Sequence, residues 1–160
     1  GFDLRHLFIG SEGALGFVVE ATMRLTTPPK DLFVMVLAIP TLAAIMKAFR
    51  AFRDSVPITA FEFFSNDALQ LVLAQGRLQM PFSAEAENYV LIEIEKTDEM
   101  VEAKALELFE SCVENGWAVD GVVSQNETQA RSFWGLREDI SEACSAYTPY
   151  KNDVSVTIAK

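Results

Sequence analysis

An α+β fold, with helices packed on an antiparallel sheet and ferredoxin-like βαβ units, is what this sequence predicts, on three observations. From residue 31 onward, short apolar or alternating runs take turns with segments of helical period. The links between them are short enough for antiparallel neighbours. Half of the 160 residues are hydrophobic, twelve of them Phe, so a real core can be buried and disorder is not expected. Pattern alone leaves a parallel, doubly wound sheet open.

The elements follow in order. Gly10, Gly13 and Gly16 punctuate the run Gly10-Ser11-Glu12-Gly13-Ala14-Leu15-Gly16, which leads into Phe17–Leu25. There Val19, Ala21, Met23 and Leu25 alternate with Val18, Glu20, Thr22 and Arg24, a period of two that predicts a strand. Thr26-Thr27-Pro28-Pro29-Lys30 is a breaker segment and the best domain boundary, dividing residues 1–29 from 30–160. Leu32–Ile39 is continuously apolar and ends at Pro40, as a buried strand would.

Leu42, Ile45, Met46, Phe49 and Phe52 recur at helical spacing, opposite Lys47, Arg50, Arg53 and Asp54. Ile58–Phe64 alternates as a second strand, with Glu62 among apolar neighbours. Ser65-Asn66-Asp67 caps a short helix that Gly76 stops, and residues 76–88 form an exposed loop. In Tyr89–Glu95, Val90, Ile92 and Ile94 point one way while Leu91, Glu93 and Glu95 lie opposite.

Thr97-Asp98-Glu99 opens a helix with acids where the dipole favours them, and Val101, Ala105, Leu108, Phe109 and Cys112 make its stripe. Asn115-Gly116 closes it. Trp117–Ser124 reads as a fourth strand, Asn126 caps a long helix to about Tyr147, and Asp153–Ile158 is a last strand. The chain opens at Gly1 and stops inside an alternating run, so it reads as a piece of a longer protein.

Net charge is −10 and the pI about 4.5. Such a surface repels nucleic acid, which binds by phosphate neutralisation, and repels anionic substrates at long range. Any anion site must be a local cluster of cations. Cys112 and Cys144 sit in helical apolar patterns and read as free thiols, which fits a reducing, cytoplasmic setting. The sequence contains neither a basic-then-apolar leader nor an apolar run of membrane length.

The glycine turn precedes a strand. A dinucleotide fingerprint needs its glycines after a strand and opening a helix, and a phosphate loop needs Gly-Lys-Ser/Thr, so both are excluded. Leu4-Arg5-His6-Leu7-Phe8-Ile9, then GSEGALG and Val19-Glu20-Ala21, instead resembles the last part of the flavin-binding domain of FAD-linked oxidases. This vanillyl-alcohol-oxidase superfamily includes D-lactate dehydrogenase, glycolate oxidase and D-2-hydroxyglutarate dehydrogenase. Ala14 and Phe17 stand where the family has Thr and Ile.

The resemblance implies that residues 1–29 end an FAD-binding domain, with Ser11, Glu12, Gly13, Gly16 and Val18 along the cofactor. It implies that residues 30–160 are most of a substrate (cap) domain, and it favours α+β over the parallel sheet.

In the final helix, Ala130, Phe133, Trp134, Ile140, Cys144 and Tyr147 trace one stripe, with Arg137 in phase and Ser141 four residues on. A guanidinium there is costly unless paired or facing a cavity. It could snorkel, pair with Glu138 or Glu142, or grip a carboxylate through its planar fork.

Phe133-Trp134-Gly135-Leu136-Arg137-Glu138, followed by Tyr150-Lys151-Asn152-Asp153-Val154-Ser155-Val156, resembles the W-x-L-R-E helix and Y-K-x-D-x-S strand of the same family. There the resemblance implies that Arg137, Ser141 and Lys151 contact the substrate's carboxylates. Ser141 stands for a Thr and Thr157 for a frequent Pro, which puts the substrate's identity more in question than the reaction class.

His6, the only histidine, reads as a satisfied structural residue sooner than a base. Glu12 suits backbone and flavin contacts. By resemblance, the base and a metal-binding group belong to a His-rich motif that this sequence lacks, and its acids show no metal-ligand spacing.

The function expected is oxidation of a D-2-hydroxy acid by hydride transfer to FAD, with electrons leaving to an acceptor and a homodimer possible in form. The competing class is a non-catalytic α+β binding or dimerisation module. A hollow holding Arg137 and Lys151 together would separate the two.

Overall fold

The computed structural model describes residues 1–156. Four strands, β1 (Leu32–Ile39), β2 (Ile58–Ser65), β3 (Asn88–Glu95) and β4 (Asp120–Val123), form one sheet in the order β2-β3-β1-β4. Every pairing is antiparallel. The helices are α1 (Arg5–Phe8), α2 (Leu42–Arg53), α3 (Asn66–Leu73), α4 (Met100–Glu114), α5 (Glu127–Glu138) and α6 (Ile140–Ser145).

The α+β expectation holds, and the parallel alternative falls. β1-α2-β2 and β3-α4-β4 each step over one intervening strand, which is the split βαβ arrangement.

Alternation along the central strands sorts the core into two layers. Phe33, Met35, Leu37 and Ile39 of β1, with Val90, Ile92 and Ile94 of β3, pack against Ile45 and Phe52 of α2 and Ala105 and Cys112 of α4. Val34, Val36, Ala38, Tyr89 and Leu91 face the other way, onto Leu69 of α3 and Phe133 and Leu136 of α5. Both faces of β1 are therefore dry, which is why its sequence is an unbroken apolar run.

The helix starts are local chemistry. The side chains of Thr41, Ser65 and Asn126 accept hydrogen bonds from the backbone N–H groups of Ala44, Ala68 and Gln129. At Gly121 an added Cβ would lie 2.6 Å from Leu37 and 2.8 Å from Phe109, so only glycine lets α4 sit this close to β4.

Three expectations fail. Residues 17–25 are exposed and form no strand. Alternation shows that a segment can be a strand, but a strand exists only through ladder partners, and this one has none among the described residues.

The long final helix is two: it breaks at Asp139, between α5 and α6, and Tyr147 is 70% exposed instead of continuing the stripe. Of the expected last strand, residues 153–156 are exposed and irregular, and 157–158 lie outside the described residues. β4 is shorter than Trp117–Ser124, although Val119 N–H and Ser124 N–H still donate to Ala38 and Val34 carbonyls of β1.

Candidate functional site

The α5 face of the sheet is not wholly apolar. Glu62 on β2 stands opposite Leu91, and Glu93 on β3 stands opposite Ala60, so the two carboxylates are diagonal neighbours on one face. Helix α5 lies over them, held down by buried Phe133 and Leu136.

Its Trp134 and Arg137, three residues apart, project toward the two acids. Trp134 Nε1–H donates to Glu93 Oε2 at 2.8 Å, while Thr59 Oγ1–H donates to Glu93 Oε1 at 2.8 Å. Arg137 Nε–H donates to Glu62 Oε2 at 3.0 Å. Among the described residues, this is the only side-chain hydrogen bond that Arg137 makes.

Arg137 is thus paired, but with an acid 75 positions away across the fold, and not with Glu138 or Glu142. Glu142 instead meets Arg77 at 2.7 Å, tying the loop after α3 to α6. The Arg137 and Glu62 side chains are 39% and 36% exposed, so the pair sits at the rim of the layer.

Beyond the break at Asp139, α6 presents Ser141, whose Oγ accepts from Lys151 Nζ at 2.8 Å. Two of the three residues expected at an anion site are therefore in contact. Arg137 lies on a different helix and has a different partner, Glu62, and shares no side-chain hydrogen bond with Ser141 or Lys151 among the described residues.

A cavity of about 620 Å³ opens where the start of β1, the end of β3 and the N-terminus of α5 meet. Trp134 and Glu93 line it, but Arg137, Ser141 and Lys151 do not. Its cations are already matched: Lys96 lies 3.0 Å from Glu102, which raises its pKa, and Arg131 lies 2.7 Å from Glu127. This cavity does not supply the local positive cluster that an acidic protein needs to hold an anion.

At the other end, Gly10, Glu12, Gly13 and Gly16 all take positive φ, at 79°, 48°, 83° and 147°. Ala14 N–H closes the turn on the Ser11 carbonyl at 2.8 Å. Side chains added at Gly10, Gly13 or Gly16 would meet nothing closer than 3.8 Å, so backbone angle, and not crowding within the chain, calls for glycine here. Ser11 is half-buried; Glu12, Gly13, Gly16 and Val18 are exposed. His6 is exposed as well, 3.7 Å from Asp3, which is not the enclosed structural position expected of it.

Sequence reasoning noticed Glu62 and Glu93 as acids inside strand patterns but gave them no partners. The available signal was an ionisable residue on the covered face of each strand. Among the described residues, no three His, Cys, Asp or Glu side chains converge as metal ligands would.

The family model described as FAD linked oxidases, C-terminal domain, matches residues 28–160. The chain belongs to this family. Of the FAD-linked oxidases that it resembles, the D-2-hydroxyglutarate dehydrogenase of Stutzerimonas stutzeri (strain A1501) is 53% identical over 160 residues, all of this chain and 34% of that protein. The D-2-hydroxyglutarate dehydrogenase of Xanthomonas citri pv. viticola is 54% identical over 159 residues, 99% of this chain and 34% of that protein. The mitochondrial D-2-hydroxyglutarate dehydrogenase of Arabidopsis thaliana is 35% identical over 176 residues, 99% of this chain and 29% of that protein.

The chain thus spans about a third of the length of these curated relatives. Family membership indicates FAD as the cofactor of the full-length enzyme. The glycine turn fits such a group, because its open backbone leaves space over each glycine for a flat body to approach.

Proposed function

We propose that this chain is the junction and cap of an FAD-dependent dehydrogenase that oxidises a D-2-hydroxy acid, D-2-hydroxyglutarate foremost, to the 2-oxo acid. In this reading residues 1–29 complete the flavin-binding domain and 30–160 belong to the substrate domain. The observation that carries it is Arg137: a guanidinium bonded through Nε to Glu62 at the partly exposed rim of the α5 layer, its terminal nitrogens making no side-chain hydrogen bond among the described residues.

A fork of that kind matches a carboxylate with two parallel hydrogen bonds. Lys151, steadied by Ser141, supplies a second cation for the far carboxylate of a dicarboxylic acid. Glu62 already offsets part of the Arg137 charge, so Lys151 carries most of the local attraction that a chain of charge −10 needs in this reading. Half-buried Ser11 and exposed Glu12, Gly13, Gly16 and Val18 hold the cofactor. When bound, FAD supplies the two-electron acceptor that takes the C2 hydrogen as hydride.

This chain's own residues bind and orient the substrate so that C2 faces that acceptor, and electrons then pass to an external acceptor. No helix among the described residues is long and apolar enough to cross a membrane. A cytoplasmic setting and a homodimer belong to the same proposal.

The test is turnover of the full-length enzyme on D-2-hydroxyglutarate, D-lactate and glycolate, beside Arg137→Ala. Loss of a charge-assisted bond worth ~1.5–3 kcal/mol raises KM at least tenfold. A variant equal to wild type on every substrate that is turned over removes the carboxylate role.

A further inference from the structure

We propose that Glu62 is a positioning residue for Arg137, setting the direction in which its fork points; this rests on the reading of Arg137 as a carboxylate ligand. The guanidinium is planar, so a bond at Nε fixes the plane while leaving both terminal nitrogens on its outer edge. The bond to Glu62 is of that kind, at 3.0 Å through Nε.

Glu62 is itself set by rigid structure. It sits in the middle of β2, paired with Leu91 of β3 and followed by buried Phe64. Arg137 belongs to the last turn of α5, whose neighbouring residue Leu136 is buried. Strand and helix thus deliver the acid and the base to one spot.

Stability does not account for the pair. Both side chains are more than a third exposed, and such pairs contribute little to folding because solvent screens them. Orientation does account for it. Glu138 and Asp139 follow Arg137 directly in sequence and are alternative acceptors for a long, flexible cation, whereas Glu142 is taken by Arg77. A fixed acceptor at Nε keeps the fork from being captured end-on by Glu138 or Asp139. The arrangement also leaves the substrate's carboxylate to make the fork bonds, which a bidentate Glu62 would have consumed.

The test uses the full-length enzyme with D-2-hydroxyglutarate and the variants Glu62→Ala, Glu62→Gln, Arg137→Ala and Glu62→Ala/Arg137→Ala. Glu62→Ala is expected to raise KM about tenfold with kcat changed less than threefold, since ground-state docking is lost and the chemistry is not. Glu62→Gln keeps an oxygen acceptor for Nε–H and stays within about threefold of wild-type KM. The double variant is no worse than Arg137→Ala, because Glu62 acts only through Arg137.

Three results overturn the proposal: an unchanged KM in Glu62→Ala, a Gln variant as impaired as Ala, or additive losses in the double variant. An unimpaired Arg137→Ala overturns the carboxylate reading and this proposal together. An impaired Arg137→Ala beside a normal Glu62→Ala removes this one alone.

Discussion

Replacing Trp134 by Phe removes one hydrogen bond and leaves most of an aromatic ring in place. The lost bond runs from Nε1–H to Glu93 Oε2 at 2.8 Å, and its acceptor is a carboxylate, which puts it in the class worth ~1.5–3 kcal/mol. Two features pull the figure to the low end. Glu93 lines the cavity of about 620 Å³, so water can take the place of the indole. Thr59 also continues to satisfy Oε1. The smaller ring adds a modest packing loss, and about 2 kcal/mol in all is expected.

Urea unfolding of the 160-residue chain, followed by far-ultraviolet circular dichroism, measures it. Glu93→Gln is the companion, because its amide oxygen still accepts from the indole and most of the stability should return. If Trp134→Phe unfolded within about 0.5 kcal/mol of wild type, the indole bond would not be what seats α5, and the placement of Arg137 one turn later would need another cause.

Four further outcomes are expected. Ser124→Ala deprives the buried Val34 N–H of the Oγ acceptor 2.9 Å away and should cost ~1–2 kcal/mol by the same unfolding assay. Gly121→Ala forces a Cβ to within 3.0 Å of the Val36 carbonyl oxygen, which cannot move aside, and should cost ~1–3 kcal/mol. Burial pushes the Cys112 thiol up to about 11, so the fold favours its neutral form; stability is fully present below the ordinary thiol pKa and declines as pH rises toward 11. At pH 8, alkylation followed by mass spectrometry should accordingly mark the half-buried Cys144 well before Cys112. Finally, the 160-residue chain should purify without FAD absorbance, since the glycine turn offers one exposed surface and no opposing wall.

Where the sequence was legible, a single element carried its own signal. The unbroken apolar run of β1, the alternation of β3 and the Ser65 and Asn126 caps each follow from local chemistry and came out as read. Where the outcome depended on distant residues, the signal was incomplete. Phe17–Leu25 alternates as a strand should, yet no ladder partner is present among the described residues. The break at Asp139 is hidden because nothing between Glu138 and Ile140 is a helix breaker; Asp139 keeps helical angles, φ −72° and ψ −7°. Arg137 was recognisable as a cation in phase with an apolar stripe. Glu62 as its partner was not, because 75 residues separate them and only the packing of α5 on the sheet brings them together.

That break changes what sets the geometry of the proposed anion site. In one continuous helix, Arg137 and Ser141 would be fixed one turn apart by backbone hydrogen bonds alone. At Asp139 helical angles and the bonds from Asp139 N–H to the Gly135 carbonyl and from Ala143 N–H to the Asp139 carbonyl are kept, and each side of that residue has side-chain anchors of its own. The Arg137 side depends on the sheet, through Glu62 and through Trp134 on Glu93. The Ser141 side depends on α6, where Ala143 is buried and Glu142 reaches Arg77. The Arg77–Glu142 pair is more than half exposed on both sides and can hold little, so the packing around Ala143 must carry most of that anchoring. Substitutions under α6 should therefore disturb the Ser141–Lys151 contact while sparing Arg137, and substitutions at Glu62 or Glu93 should do the reverse. Lys151 lies beyond α6 in an irregular, exposed segment, so its position rests on the Ser141 contact and not on the pitch of either helix.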